Sequence, residues 1–269
     1  MVALGADALA ARLRGEDGDG FVLLPGFAEP EVGRSMLEDV VSIARSPATA
    51  RGGALLLEES QPDFEGEHPE DRVSKIFRLH RRPLFRAFLE REDVTALLTG
   101  AIGPDVDCFL SQFIFKNPGA WGQPWHQDAY YFPFDPPSPV LALWLAITRA
   151  TLENGCLHVL PGSQREPVHR HVRDRRPGAP QGYVEIVDTD FGAARPCLLE
   201  SGDLLLFDSH LMHRSTDNVS DGLRAAMVWH CARAGTVERA VDHGDGVPRK
   251  SPVHDWQPLL RDGQVVRGT

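Results

Sequence analysis

Apolar residues recur with two different periods along the chain, and the change of period divides it. Within Glu29–Ser46 (EPEVGRSMLEDVVSIARS), Val32, Met36, Val40, Val41 and Ile43 repeat mostly every three or four residues, the spacing of an amphipathic helix. Pro30 stands near its start, where the first N–H groups of a helix have no intrahelical acceptor and a missing one does no harm. A second helix is predicted from about Leu84 to Gly100, with Phe85, Phe88, Leu89, Val94, Leu97 and Leu98 along one side. Between the two, Thr49–Asp71 holds many Gly, Glu and Pro residues and reads as a surface loop and a candidate lid.

From residue 105 onward the helical period gives way to short apolar runs. Val106–Lys116 (VDCFLSQFIFK), Val140–Thr148 (VLALWLAIT), Leu204–Phe207 and Leu223–Cys231 (LRAAMVWHC) are separated by turn-forming clusters such as NPGAWGQP, FPFDPPSP, ENG and ESGD. Short strands with turns between them predict a sandwich or barrel, not a parallel sheet. Helices followed by strands fit a single α+β domain over 1–269, mainly β: a helical part to about 104, a β core over 105–235 and a tail over 236–269. Arg165–Arg176 (REPVHRHVRDRR) reads as a charged, solvated loop between strands, and 165–182 as a loop that helps choose the substrate.

Composition narrows the function classes. The 269 residues are 42% hydrophobic and 25% charged, ordinary for a globular protein. A chain of this length buries roughly 70–75% of its unfolded surface and needs no covalent staples. The four cysteines (Cys108, Cys156, Cys197, Cys231) are scattered singly, which argues against a disulfide framework and against a cysteine zinc site. Asp+Glu 38 against Lys+Arg 28 gives a net charge of −10. Nucleic-acid and membrane-surface roles normally need a basic face, so neither is expected. An acidic N-terminal stretch and the lack of any apolar run near the ~20 residues of a membrane span lead to the expectation of a cytoplasmic protein. The oligomeric state is left open.

Among 11 histidines, two stand out by context. In Trp125-His126-Gln127-Asp128 the imidazole and the carboxylate are two residues apart, and on an extended segment such residues point to one side. A second histidine completes a 2-His-1-carboxylate triad, which covers three positions of Fe(II) and leaves the others open. His213, in Ser209–Ser215 (SHLMHRS), is the candidate, with His210 a rival in the same segment. The same donors also suit zinc with a bound water, so spacing alone points to a metal without choosing the reaction. Arg224, eleven residues beyond His213, opens a strand otherwise short of charge. A guanidinium there calls for an anion, and its planar fork suits a carboxylate.

Three segments in order resemble the phytanoyl-CoA dioxygenase-like Fe(II)/2-oxoglutarate oxygenases: Gln112–Phe132 (QFIFKNPGAWGQPWHQDAYYF), Val140–Gln164 (VLALWLAITRATLENGCLHVLPGSQ) and Gly202–Trp229 (GDLLLFDSHLMHRSTDNVSDGLRAAMVW). The resemblance implies a double-stranded β-helix (jelly roll, cupin-like) core with the N-terminal helices packed on one side. It implies iron at His126, Asp128 and His213, because the family's distal histidine opens an H-x-S segment matched by His213-Arg214-Ser215. It further implies that Arg224 and Ser215 hold the far carboxylate of 2-oxoglutarate, that Trp144 lines the co-substrate pocket, and that Gln112 and Lys75 add contacts. Tyr130, Tyr131 and Phe132, directly after the ligands, are candidates for the substrate mouth. His158 is expected to pack and Asn218 to cap a turn. The implied activity uses Fe(II), 2-oxoglutarate and O2 to hydroxylate, or otherwise oxidise, a small molecule, with release of succinate and CO2. Related halogenases carry a small residue where Asp128 stands, which favours oxidation over halogenation. A zinc hydrolase or lyase on the same triad, a dioxygenase with another co-substrate, and a jelly-roll binding protein without catalysis are the alternatives.

Overall fold

Two strands near the middle of the sequence are apolar almost without interruption, and the structure, a computed structural model, shows why: both of their faces are covered. It describes residues 5–58, 67–135, 138–180, 182–241 and 247–267. Its helices are α1 (Ala6–Arg14), α2 (Pro30–Arg45), α3 (Pro83–Leu89) and α4 (Glu92–Ala101). The first strands are β1 (Phe21–Leu24), β2 (Leu55–Glu58), β3 (Val73–Phe77), β4 (Val106–Lys116), β5 (Phe134–Asp135) and β6 (Val140–Ala146). Then come β7 (Leu157–Val159), β8 (His171–Arg173), β9 (Val184–Ile186), β10 (Arg195–Cys197) and β11 (Leu204–Asp208). The last are β12 (His213–Ser215), β13 (Arg224–Arg233), β14 (Val237–Glu238), β15 (Gln257–Arg261) and β16 (Gln264–Val265).

The main sheet runs β1-β11-β6-β13-β4-β15-β16, with β3 also paired to β4 and β2 to β3, and the minor sheet runs β10-β7-β12. Every pairing is antiparallel. On one side of the main sheet, Leu141, Leu143, Leu145, Met227 and Trp229 pack with Leu9, Met36, Val40, Phe85 and Phe88 of the helices. On the other, Ala142, Trp144, Ala226 and Val228 pack with Leu157, Val159 and Cys197 of the minor sheet. Alternate residues of one strand thus serve two layers, and the result is a jelly roll with helices over one face. The four cysteines are buried and unbridged.

α2 matches its prediction, with Pro30 in the first turn and Met36, Val40 and Ile43 buried. The predicted helix over 84–100 is instead two helices, α3 and α4, broken at Glu90 and the extended Arg91. After Phe85, Phe88 and Leu89 the next core positions of a continuous helix fall on Glu92 and Asp93. The chain resets its phase there and buries Val94, Leu97, Leu98 and Ala101 in a new direction. Residues 1–104 are also less helical than expected: β1, β2 and β3 belong to the main sheet. β2 lies inside the predicted 49–71 loop, part of which falls outside the described residues. Beyond 236 the chain is no tail, because Leu259 and Leu260 of β15 are fully buried against β4. No helix among the described residues is long and apolar enough to cross a membrane.

Candidate active site

His126 and His213 are set opposite each other by the backbone. Each donates its N–H to the other's carbonyl at 2.9 Å, an antiparallel pair that places the two side chains on one side. Their ring centroids are 4.2 Å apart. Two residues after His126 the chain enters a short 3-10 turn, which brings Asp128 Oδ1 to 3.6 Å from His126 Nε2 and 3.8 Å from His213 Nε2. One donor atom from each of the three residues lies within 4.8 Å of the others.

Tautomers follow from the second ring nitrogens. His126 Nδ1 meets Pro124 O at 2.7 Å and His213 Nδ1 meets Leu211 O at 3.0 Å. Carbonyls only accept, so each Nδ1 carries a proton and each Nε2 offers a lone pair to the cluster. Burial, with the neighbouring His126, lowers the His213 pKa to about 4. Burial pushes the Asp128 carboxyl up, but His213, His126 and His230 outweigh it and hold the group well below the ordinary carboxylate range. Two imidazoles with Nε2 turned inward and one carboxylate are a donor set suited to a divalent ion.

Arg224 sits on β13 opposite Lys116 of β4 and is 2% exposed. Its Nη2 donates to Gly155 O at 3.0 Å, while Nε and Nη1 are buried with no hydrogen-bond partner. The guanidinium lies 5.6 Å from the Trp144 ring. Burial lowers its pKa to about 10, which still leaves it charged at neutral pH. Two unmet donors on a buried cation are costly, and a carboxylate in the cavity supplies both an acceptor and the counter-charge. A narrow cavity of about 60 Å³ is lined by the three metal donors together with Arg224, Trp144, Ser215, Gln112 and Lys75. The residues therefore fit both a metal ion and a chelating diacid.

Around this cavity several contacts are already made. Ser215 Oγ accepts from Lys116 Nζ at 2.8 Å and from Gln123 N at 3.1 Å. Lys75 Nζ is 3.5 Å from Gln123 Oε1 and 5.4 Å from the centre of the Tyr183 ring. Gly155 holds φ +83°, and a Cβ there would come within 2.4 Å of Thr216 O and 2.7 Å of Lys116 Cδ. No other residue type presents its carbonyl to Arg224 without strain.

The aromatic run after the ligands divides. Tyr131 faces the site, its ring 6.1 Å from His126, and its hydroxyl donates to Gly182 O at 2.9 Å. Burial, followed by the charge of Asp128, pushes that phenol well above its ordinary range. Tyr130 points outward and stacks on His171 at 4.3 Å. Phe132 turns back to pack against Phe109, Phe134 and His230. None of the three lines the cavity itself. His210 stays outside the cluster beside Asp208. Asn218 is buried and donates to Lys116 O and Gly222 O. His158 sits on β7 away from the donors, its Nδ1 without a hydrogen-bond partner. The expected solvated loop Arg165–Arg176 is partly built into the structure. β8 pairs with β9, His171 Nε2 accepts from Gln127 N at 3.0 Å, and Asp174 is buried against Arg176.

Sequence reasoning missed Lys116, Gln123, Tyr183 and His230, all of which line the cavity. His230 Nε2 lies 2.9 Å from Asp128 Oδ2. The available signal was parity, since His230 is six residues beyond Arg224 on one strand and so shares its face.

The sequence matches the family model described as Phytanoyl-CoA dioxygenase (PhyH) over residues 17–226. Phytanoyl-CoA dioxygenase domain-containing protein 1 of Bos taurus is 30% identical over 261 residues, 81% of this chain and 88% of that one. Its namesake in Rattus norvegicus is 35% identical over 180 residues, 63% of this chain, and the match spans 60% of the rat protein's length. Among solved structures, EvdO2 from Micromonospora carbonacea var. aurantiaca complexed with 2-oxoglutarate aligns with a TM-score of 0.61 and 22% identity. That alignment covers 88% of this chain and 93% of that one, a likeness of fold.

Proposed function

Because the chain belongs to the phytanoyl-CoA dioxygenase (PhyH) family, we propose that it is a 2-oxoglutarate-dependent non-haem iron dioxygenase that hydroxylates, or otherwise oxidises, a small molecule. One observation carries the reading: three metal donors and a buried arginine with two unpartnered nitrogens line the same cavity. His126 and His213 hold Fe(II) through Nε2, and Asp128 holds it through a carboxylate oxygen. Arg224 takes the far carboxylate of 2-oxoglutarate on its guanidinium, with Ser215 and Trp144 beside it and Gln112 and Lys75 along the wall.

Ferrous iron and 2-oxoglutarate supply the activation of O2, with release of succinate and CO2. The chain's own residues bind, orient and keep water out. Trp144, Val228, Ile114 and Leu157 give the cavity apolar walls, which strengthen the Arg224–carboxylate attraction by lowering the local dielectric. Tyr131, tethered to Gly182, borders the side from which a substrate approaches. Asp128 occupies the position a halide would need, so oxidation is favoured over halogenation. A zinc hydrolase on the same donors gives no use to a buried guanidinium in the cavity.

Anaerobic titration of the metal-free protein with Fe(II) and then 2-oxoglutarate tests the proposal. A visible metal-to-ligand charge-transfer band is expected only when both are present, and its absence overturns the reading. Candidate small molecules are then ranked by how strongly each stimulates O2-dependent succinate formation.

A further inference from the structure

We infer that His230 is a positioning residue for the metal site: it fixes the Asp128 carboxylate so that one oxygen is presented to the ion and the other is held away. The inference rests on the metal assignment proposed above.

The two Asp128 oxygens have different surroundings. Oδ1 is turned toward the ligand imidazoles, 3.6 Å from His126 Nε2 and 3.8 Å from His213 Nε2. Oδ2 lies 2.9 Å from His230 Nε2. A carboxylate oxygen only accepts, so His230 Nε2 carries the proton of that bond. A bond of this kind fixes the direction of a ligating carboxylate and spends the lone pair that Oδ2 would otherwise offer as a second ligand atom. A carboxylate bound through both oxygens would close a position that an open three-ligand site keeps for its reactants.

The surroundings of the His230 ring are a second, independent observation. Pairing between β13 and β4 is regular from Arg224 opposite Lys116 to His230 opposite Leu110, then slips so that Cys231 faces Cys108. Phe109 is the residue left over. Its ring lies 6.2 Å from the imidazole, and Phe132 closes in at 5.3 Å. The bulge belongs to β4 and re-aims Phe109, whereas His230 keeps regular register with Leu110 of β4 and Ala142 of β6. The ring is 2% exposed and its Nδ1 is buried without a hydrogen-bond partner. A residue placed there only for packing would be apolar; the imidazole leaves one nitrogen unmet in order to reach Asp128 with the other.

Cobalt(II) binding to the full chain, followed by calorimetry and by the visible spectrum of the complex, provides the test with no turnover required. Asp128→Ala is the control for the site itself: if it binds cobalt as the parent does, the metal assignment fails. His230→Leu keeps the bulk and loses the donor, and binding is expected to weaken about 10- to 100-fold. His230→Gln puts an amide N–H where Nε2 was and is expected to recover most of the affinity and the parental spectrum. If the leucine chain does not fold, His230→Asn, whose shorter amide falls short of Oδ2, replaces it with the same expected loss. Parental affinity in the variant lacking the donor, or a glutamine variant no better than that variant, overturns the inference while leaving the metal assignment standing.

Discussion

The guanidinium of Arg224 has one nitrogen bonded to Gly155 and two bonded to nothing. That asymmetry predicts what replacing it does. Arg224→Leu is expected to weaken 2-oxoglutarate binding by about 10- to 100-fold, the loss of a charge-assisted pair of hydrogen bonds, while cobalt(II) binding without the diacid stays parental. Arg224→Lys keeps a charge but not the fork, so an intermediate affinity is expected; calorimetry with each variant reads both numbers. The leucine chain should unfold no more easily than the parent, because it removes a buried cation whose donors are unmet. Equal diacid affinity in parent and leucine variant would sink the co-substrate assignment. Of the cluster, His126 and Asp128 were legible from their two-residue spacing, and His213 over His210 from the resemblance of His213-Arg214-Ser215 to the family's H-x-S segment. His230 was not. Its face on β13 followed from parity with Arg224, but its partner Asp128 is 102 residues away and no local pattern joins the two.

Among the elements, β13 does the most. Its even-numbered residues Arg224, Val228 and His230 line the cavity, and its odd-numbered residues Met227 and Trp229 meet the helices. Trp229 stacks on Phe88 of α3 with ring centroids 4.8 Å apart. Trp229→Ala is therefore expected to cost about 3–5 kcal/mol of stability, measured by urea unfolding. Gly155→Ala acts at the turn before β7: with φ +83° and Thr216 O only 2.4 Å from the added carbon, the turn must shift and carry Arg224's carbonyl partner with it. A loss of about 1–3 kcal/mol is expected, together with weaker 2-oxoglutarate binding, which titration checks. The long strands and α2 could be read from period because their buried positions repeat several times. β7, β10 and β12 have three residues each, too few for an alternation to register. Among its described side chains, α1 offers Leu9 and Leu13 as buried anchors along a short run. The break between α3 and α4 was visible in principle, as two acidic residues standing where the apolar stripe should continue.

At the scale of the whole molecule, the segment after β14 closes the fold. Asp255 accepts from Arg81 and lies 3.3 Å from His80 Nε2, and His80 Nδ1 meets Ser111 Oγ at 2.7 Å. Burial pushes the Asp255 carboxyl up, but Arg81 and His80 outweigh it and hold it below the ordinary carboxylate range. A carboxyl whose folded pKa is depressed adds stability above its unfolded pKa and loses it as the pH falls toward the folded value. Asp255→Asn should thus lower the unfolding free energy at pH 7 by about 1–3 kcal/mol, and the gap should narrow once the pH drops below about 4. Urea melts of parent and variant across that interval decide it; a gap constant with pH would refute the ion-pair account. None of this long-range fastening was legible, since residues 80 and 255 share no sequence neighbourhood. The reciprocal backbone bonds between His126 and His213 have a consequence for how the protein is loaded. The ladder holds the ligand cradle whether or not an ion is bound, so the metal-free chain is expected to stay folded and to take up or give back its metal with little rearrangement, which matching far-UV circular dichroism before and after chelation checks.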